Sequence, residues 1–160
     1  LELSGLERER ISLAHGDLND PLQFARTVDT FVSTIDRLGP IQRNPQTEGK
    51  IQALYDTLHN PRVRWVLGAS LRRPWETSYP TDQRNAMEYD MTLSDVVTEE
   101  FCRTRIANLL KKEARVMQLE EVVEALKVDK KRAVACLKDM SSEGLVSRIF
   151  KDRVPYYSLL

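Results

Sequence analysis

The last 25 residues, Cys136–Leu160, read CLKDMSSEGLVSRIFKDRVPYYSLL. The stretch finishes a helix, stops it at Gly144, and then pairs two apolar-rich segments, Leu145–Phe150 and Val154–Leu159, across the basic tip Lys151-Asp152-Arg153. Working backwards, Asp129 suits the N-cap of that helix, whose span is predicted as Lys130–Glu143 with Ala133, Val134, Leu137 and Met140 inward. A short helix, Leu119–Lys127, precedes it with Val122, Val123 and Leu126 apolar, and a brief strand, Val116–Gln118, precedes that. A long helix, Thr92–Lys112, carries Phe101, Cys102, Ile106, Leu109 and Leu110 on its inner side. Helix, short strand, helix, turn, helix and two-stranded wing is the order of a winged helix-turn-helix over residues 92–160.

Upstream the pattern changes. Residues 42–91 predict a helical hairpin and an irregular crossing. The polar run QRNPQ, Gln42–Gln46, reads as a linker. Ile51, Leu54, Tyr55 and Leu58 mark one helix, stopped at His59-Asn60; Pro61 opens another with Val63, Val66, Leu67 and Leu71. RRPWETSYPTDQRNAMEYDM, residues 72–91, has two prolines and little periodicity and reads as a long loop.

Residues 1–41 predict a strand-helix remnant of an α/β domain. Leu1, Leu3 and Leu6 around Gly5 look like the last turn of a helix, and Ile11–Ala14 like a short strand. Asp20 caps and Pro21 opens the clearest helix of the chain, with Phe24, Val28, Phe31, Val32, Ile35 and Leu38 along one side until Gly39-Pro40. A lone strand and amphipathic helix have no sheet to join, so more polypeptide is expected upstream. The fold class expected is mainly α with small β.

The chain has 160 residues, 41% hydrophobic and 30% charged, enough apolar material for one large or two small cores. No membrane span or signal pattern is legible, which points to the cytoplasm. The formal net charge of zero hides an asymmetry: residues 1–100 carry 11 Lys+Arg against 16 Asp+Glu, and residues 101–160 carry 13 against 8. A basic end suits nucleic acid or an acidic protein surface. Cys102 and Cys136 lie far apart in sequence and read as two buried thiols. Neither they nor His15 and His59 have metal-type spacing, and no nucleophile set or glycine-rich phosphate loop appears. No catalytic, cofactor or metal residue is therefore expected in this chain. Trp65 and Trp75 read as core or interface anchors before stacking platforms.

Projected at 100° per residue, the outer face of the third helix holds Lys131, Arg132, Ala135, Asp139 and Ser142. Used on DNA, the fold would draw on Lys130, Lys131, Arg132, Arg148, Lys151 and Arg153. Asp139 opposes that use, because a carboxylate in the reading face is repelled by phosphate, and Asp152 sits at the tip. DNA binding is thus the second expectation, behind protein docking.

The segment LSGLERERISLAHGDLNDPLQFARTVDTFVSTIDRLGP resembles the carboxyl end of the delta subunit of methyl-viologen-reducing hydrogenase. The matching residues are Gly5, Leu6, Glu7, Arg8, Arg10, Phe24, Ala25, Val28, Phe31, Ile35, Leu38, Gly39 and Pro40. RVRWVLG, EEFCRTRIANLLKKE, GLVSRIF and PYYSL resemble, more loosely, an extension carried by some members of that family. The resemblance implies a subunit that passes electrons from a hydrogenase or formate dehydrogenase to a heterodisulfide-reductase-type complex. It also implies an iron-sulfur cluster on cysteines upstream of the matched helix, none of which is present here. The expected partners are protein subunits of such a redox complex.

Overall fold

The computed structural model describes residues 3, 5–12, 20–71 and 83–160, without the side chains of 69–71 and 83–90. The protein is mainly helical with a small antiparallel sheet at its carboxyl end. Two compact units divide at Ile51 and Gln52, inside a helix. No helix among the described residues is long and apolar enough to cross a membrane.

In the first unit, helix α1 spans Pro21–Leu38. The Asp20 side chain caps it by accepting from the Gln23 N–H at 3.0 Å, Pro21 sets the first turn, and Gly39 ends it in the left-handed region at φ 69°. No residue of α1 is buried, and Leu22, Phe24, Val28 and Val32 leave their apolar stripe exposed. The segment read as a strand behaves differently. Arg8–Arg10 is a short 3-10 turn, Ile11 and Ser12 lie in no strand, and Leu13 and Ala14 fall outside the described residues. The local cause is Arg10: its guanidinium donates to the Gly39 carbonyl at 2.8 Å and to Glu7, tying this segment to the end of α1. A strand needs a ladder partner, and none is present among the described residues of this unit.

The second unit is organised around one long helix. Helix α2, Pro45–His59, crosses the division between units. Its second half presents Ala53 and Thr57, spaced i and i+4, to the interior; Ile51, Tyr55 and Leu58, which mark the helix in the sequence, are exposed. Small side chains let the backbone approach closely: the Thr57 hydroxyl, which donates to the Ala53 carbonyl at 2.7 Å, sits 3.3 Å from the Thr104 hydroxyl. Helix α3, Pro61–Leu71, is capped by Asn60 and buries Val63 completely. Trp65 of the same helix is 74% exposed, so it is no core anchor; Trp75 lies outside the described residues.

Helix α4 runs Gln83–Glu113, about 46 Å at 1.5 Å per residue. It starts nine residues before the predicted Thr92, taking in part of the stretch read as loop; residues 72–82 of that stretch lie outside the described residues. Strand β1 (Met117–Gln118), helix α5 (Leu119–Leu126), helix α6 (Lys130–Ser142) and strands β2 (Val146–Lys151) and β3 (Val154–Leu159) follow. The sheet order is β1-β3-β2, antiparallel throughout, with Met117 opposite Tyr157 and Val146 opposite Leu159. Three helices on a three-stranded sheet in this order make a winged helix-turn-helix. Its core joins Cys102, Ile106 and Leu110 of α4, Met117, Leu119 and Val122, then Ala133, Cys136, Leu137 and Met140 of α6, and Val146 and Tyr157 of the wing.

Candidate functional site

Asp129 accepts from the Arg132 N–H at 3.0 Å, fixing the start of α6. Ala133, Cys136, Leu137 and Met140 then recur at i, i+3, i+4 and i+7 and bury one side of the helix. Val134, read as inward, lies about 110° from the middle of that side and is 42% exposed. The outward set Lys131, Arg132, Ala135, Asp139 and Ser142 is exposed as expected. Lys138 joins it, a cation that the same helical projection places beside Lys131, between it and Val134.

The wing is closed by Asp152 and Arg153, both in the left-handed region at φ 50° and 66°. This pair of positive φ values defines a two-residue hairpin turn that matches the strand twist. Cross-strand register sorts the side chains. Arg148, Phe150, Pro155 and Tyr157 share the face that leads into the core, and Ile149, Lys151, Val154 and Tyr156 share the other. Phe150 is 59% exposed, and Ile149 and Val154 are exposed as well, so the outer half of the wing shows apolar surface on both faces. The Arg148 guanidinium lies 5.2 Å from the Phe150 ring centre and the Lys151 ammonium 5.6 Å from that of Tyr156. The Tyr156 hydroxyl accepts from the Gln118 amide at 2.6 Å, anchoring β3 to β1.

Of the six cations expected for DNA, Lys130 is held 2.9 Å from the Glu120 carboxylate, which lowers the Glu120 pKa from its ordinary value through that hydrogen bond. Lys131, Arg132, Arg148, Lys151 and Arg153 form no ion pair among the described residues. The reading helix and the wing are thus brought into one winged-helix unit, while Val134, Ala135 and Asp139 interrupt the basic face of α6.

Behind this surface lies a polar chain that no sequence pattern announced. Glu100 of α4 is 4% exposed and accepts from Arg62 at 2.7 Å and Asn60 at 3.1 Å. Arg103, 8% exposed, stands 3.7 Å from Glu100 and donates a forked pair of hydrogen bonds to Glu143 at the end of α6, one of them 2.9 Å. The Arg103 hydrogen bonds hold the Glu143 carboxyl below the usual carboxylate range. This chain fastens α3 to α4 and α4 to α6 by charge-assisted bonds.

The two cysteines, distant in sequence, meet in the core. Cys102 of α4 and Cys136 of α6 lie in one buried cluster, where the neighbouring Cys102 thiol, with burial behind it, pushes the Cys136 thiol up, and the Cys136 Sγ lies 4.0 Å from the Glu99 carbonyl oxygen. A cluster of the sort the resemblance implies takes several thiolates, commonly four. Two thiols sealed together in a core do not form that ligand set. Among the described residues no group of three or more His, Cys, Asp or Glu is placed to hold a metal ion. Shallow clefts occur among the described residues. One of about 460 Å³ lies in the first unit, lined by Glu9, Gln23, Arg26 and the hydroxyl-bearing side of α1. Another of about 410 Å³ lies between the end of α4 and β3, lined by Lys111, Arg115 and Leu159. Neither lining sets a nucleophile beside a base. Comparisons with protein families, with curated proteins and with solved structures found no match.

Proposed function

We propose that the winged-helix unit is a protein-docking module. Together with the likeness of the first forty residues, it makes the chain a cytoplasmic, cofactor-free docking segment of an electron-transfer subunit. That subunit links a hydrogenase or formate dehydrogenase to a heterodisulfide-reductase-type complex. The observation carrying this reading is the exposure of Ile149, Phe150 and Val154 on the wing, rimmed by Arg148, Lys151 and Arg153. An aromatic anchor within a polar rim is the composition of a protein interface. Burying a Phe or Ile completely contributes about 1.5–3 kcal/mol. Phosphate offers those side chains nothing comparable. The uncovered stripe of α1 supports the same reading for the first unit.

The direct test is co-elution of the chain with the flavin-containing subunit of a heterodisulfide-reductase-type complex. Phe150→Asp should weaken it at least tenfold, and the purified chain should carry no iron chromophore. Retention of stoichiometric iron, or co-elution indifferent to Phe150, contradicts the reading.

A second reading, DNA binding, draws on Lys131, Arg132 and Lys138 on α6 with Arg148, Lys151 and Arg153 on the wing. Asp139 and Asp152 stand within that surface and weigh against it. Saturable duplex binding with a steep salt dependence would favour it.

A further inference from the structure

We infer that the free edge of β2 is a strand-addition site for an extended, acidic segment of the partner. This inference rests on the docking reading above and specifies its chemistry.

The sheet order places β2 at an edge, with β3 on one side only. In a two-residue hairpin, Lys151 and Val154 close the ladder as a bonded pair. Bonding then alternates, so Ile149 and Ser147 also turn their N–H and C=O toward β3. Arg148 and Phe150 turn theirs outward. Pro155 agrees with this phase. It stands opposite Phe150 at a non-bonded pair, where a missing N–H costs the β2–β3 ladder nothing. Exposed Arg148 and Phe150 therefore offer two N–H and two C=O groups in the pattern that an added strand takes up.

The side chains select the occupant. An added strand would meet Arg148 and Phe150 on one face and Ile149 and Lys151 on the other, one cation and one apolar group on each. Acidic residues alternating with apolar ones satisfy both faces. A second copy of the chain does not: β2 carries two cations and no carboxylate, so pairing it with itself gathers four cations on one ribbon with no acid to offset them. Like charges facing across strands are destabilising, and cations on an edge strand guard against such self-pairing. A nucleic-acid backbone lacks the alternating donors and acceptors that a peptide edge matches.

The test uses the full chain and the peptide Glu-Val-Glu-Val-Glu-Val-Glu, capped at both ends, with its Lys-for-Glu counterpart as control. Residue-resolved amide exchange should find Arg148 and Phe150 fast and Ser147, Ile149 and Lys151 slow in the free chain. The acidic peptide should slow Arg148 and Phe150 at least tenfold, and the basic peptide should not. Arg148→Ala removes the cation alone and Arg148→Pro removes the cation together with the outward N–H, so the proline variant should keep the melting temperature within a few degrees and bind the acidic peptide at least tenfold more weakly than the alanine variant. If that variant fails to fold, the exchange pattern of the unmodified chain decides alone. Binding of the acidic peptide without protection of Arg148 and Phe150 overturns strand addition but leaves docking intact. Equal binding of both peptides overturns the charge selection. No binding of the acidic peptide overturns the inference, while the docking reading is judged separately by co-elution with the flavin-containing subunit.

Discussion

Glu100 and Arg103 are the residues on which the second unit turns, because they carry charge where almost no water reaches. Each is partnered, so the chain Arg62–Glu100–Arg103–Glu143 holds; remove one member and a buried charge loses its compensation. Arg103→Ala should destabilise the fold by about 2–3 kcal/mol, less than a fully buried pair because Arg62 and Asn60 still serve Glu100. A denaturant midpoint measures it. The Glu143 carboxyl titrates lower in the folded chain than when unfolded. Its contribution is therefore complete above the ordinary carboxylate range and is lost as pH falls through the folded value. Glu143→Gln should flatten the acid limb of a stability-against-pH curve; an unchanged limb would contradict the pairing. Gly144, at φ 74°, supplies the left-handed residue that lets Leu145 turn into β2. Gly144→Ala should cost about 1 kcal/mol by the same measurement.

The elements of the winged helix were largely legible in sequence because each boundary carries its own local chemistry. Asp129 caps α6, Gly144 stops it, and the apolar spacing of Ala133, Leu137 and Met140 points one side inward. What was hidden needed three-dimensional information. Nothing local tells that Glu100 and Arg103 are buried, since their partners Arg62 and Glu143 lie some 40 residues away. The inner face of α2 is not legible in sequence, because large apolar residues outweigh Ala53 and Thr57 in any pattern, whereas close helix packing selects small ones. Ile11 and Ser12, the described part of the strand expected at Ile11–Ala14, find no ladder partner among the described residues, and propensity alone does not make a strand. For the candidate site, the cations were readable by projection, but the exposure of Phe150 was not, because a hairpin's outer half looks in sequence like its buried half. At this scale the turn offers a test: Asp152→Asn with Arg153→Gly puts residues suited to positive φ at both positions and should stabilise the hairpin by about 1 kcal/mol in thermal unfolding.

For the whole molecule, the division at Ile51 and Gln52 groups the end of α2 and all of α3 with the winged helix. Ala53, Thr57, Val63 and Phe101 are buried outside the winged-helix core cluster, and the Thr57 hydroxyl lies 3.3 Å from that of Thr104 on α4. A fragment of residues 92–160 should accordingly unfold at lower denaturant than one of residues 44–160, by about 3–5 kcal/mol if Phe101 and its neighbours become exposed. Equal stability would mean that α2 and α3 contribute nothing to the winged helix. The surface so supported mixes cations with apolar side chains and acids, and this mixture separates a protein partner from a nucleic acid. Titrating a labelled random-sequence duplex with the full chain across a range of salt decides between them. A reader using five phosphate contacts would give a log-log slope of about −4 to −5. The docking account predicts no saturable binding even at low salt. Saturable binding with that slope, lost when Lys131 and Arg132 are replaced by alanine, would contradict it.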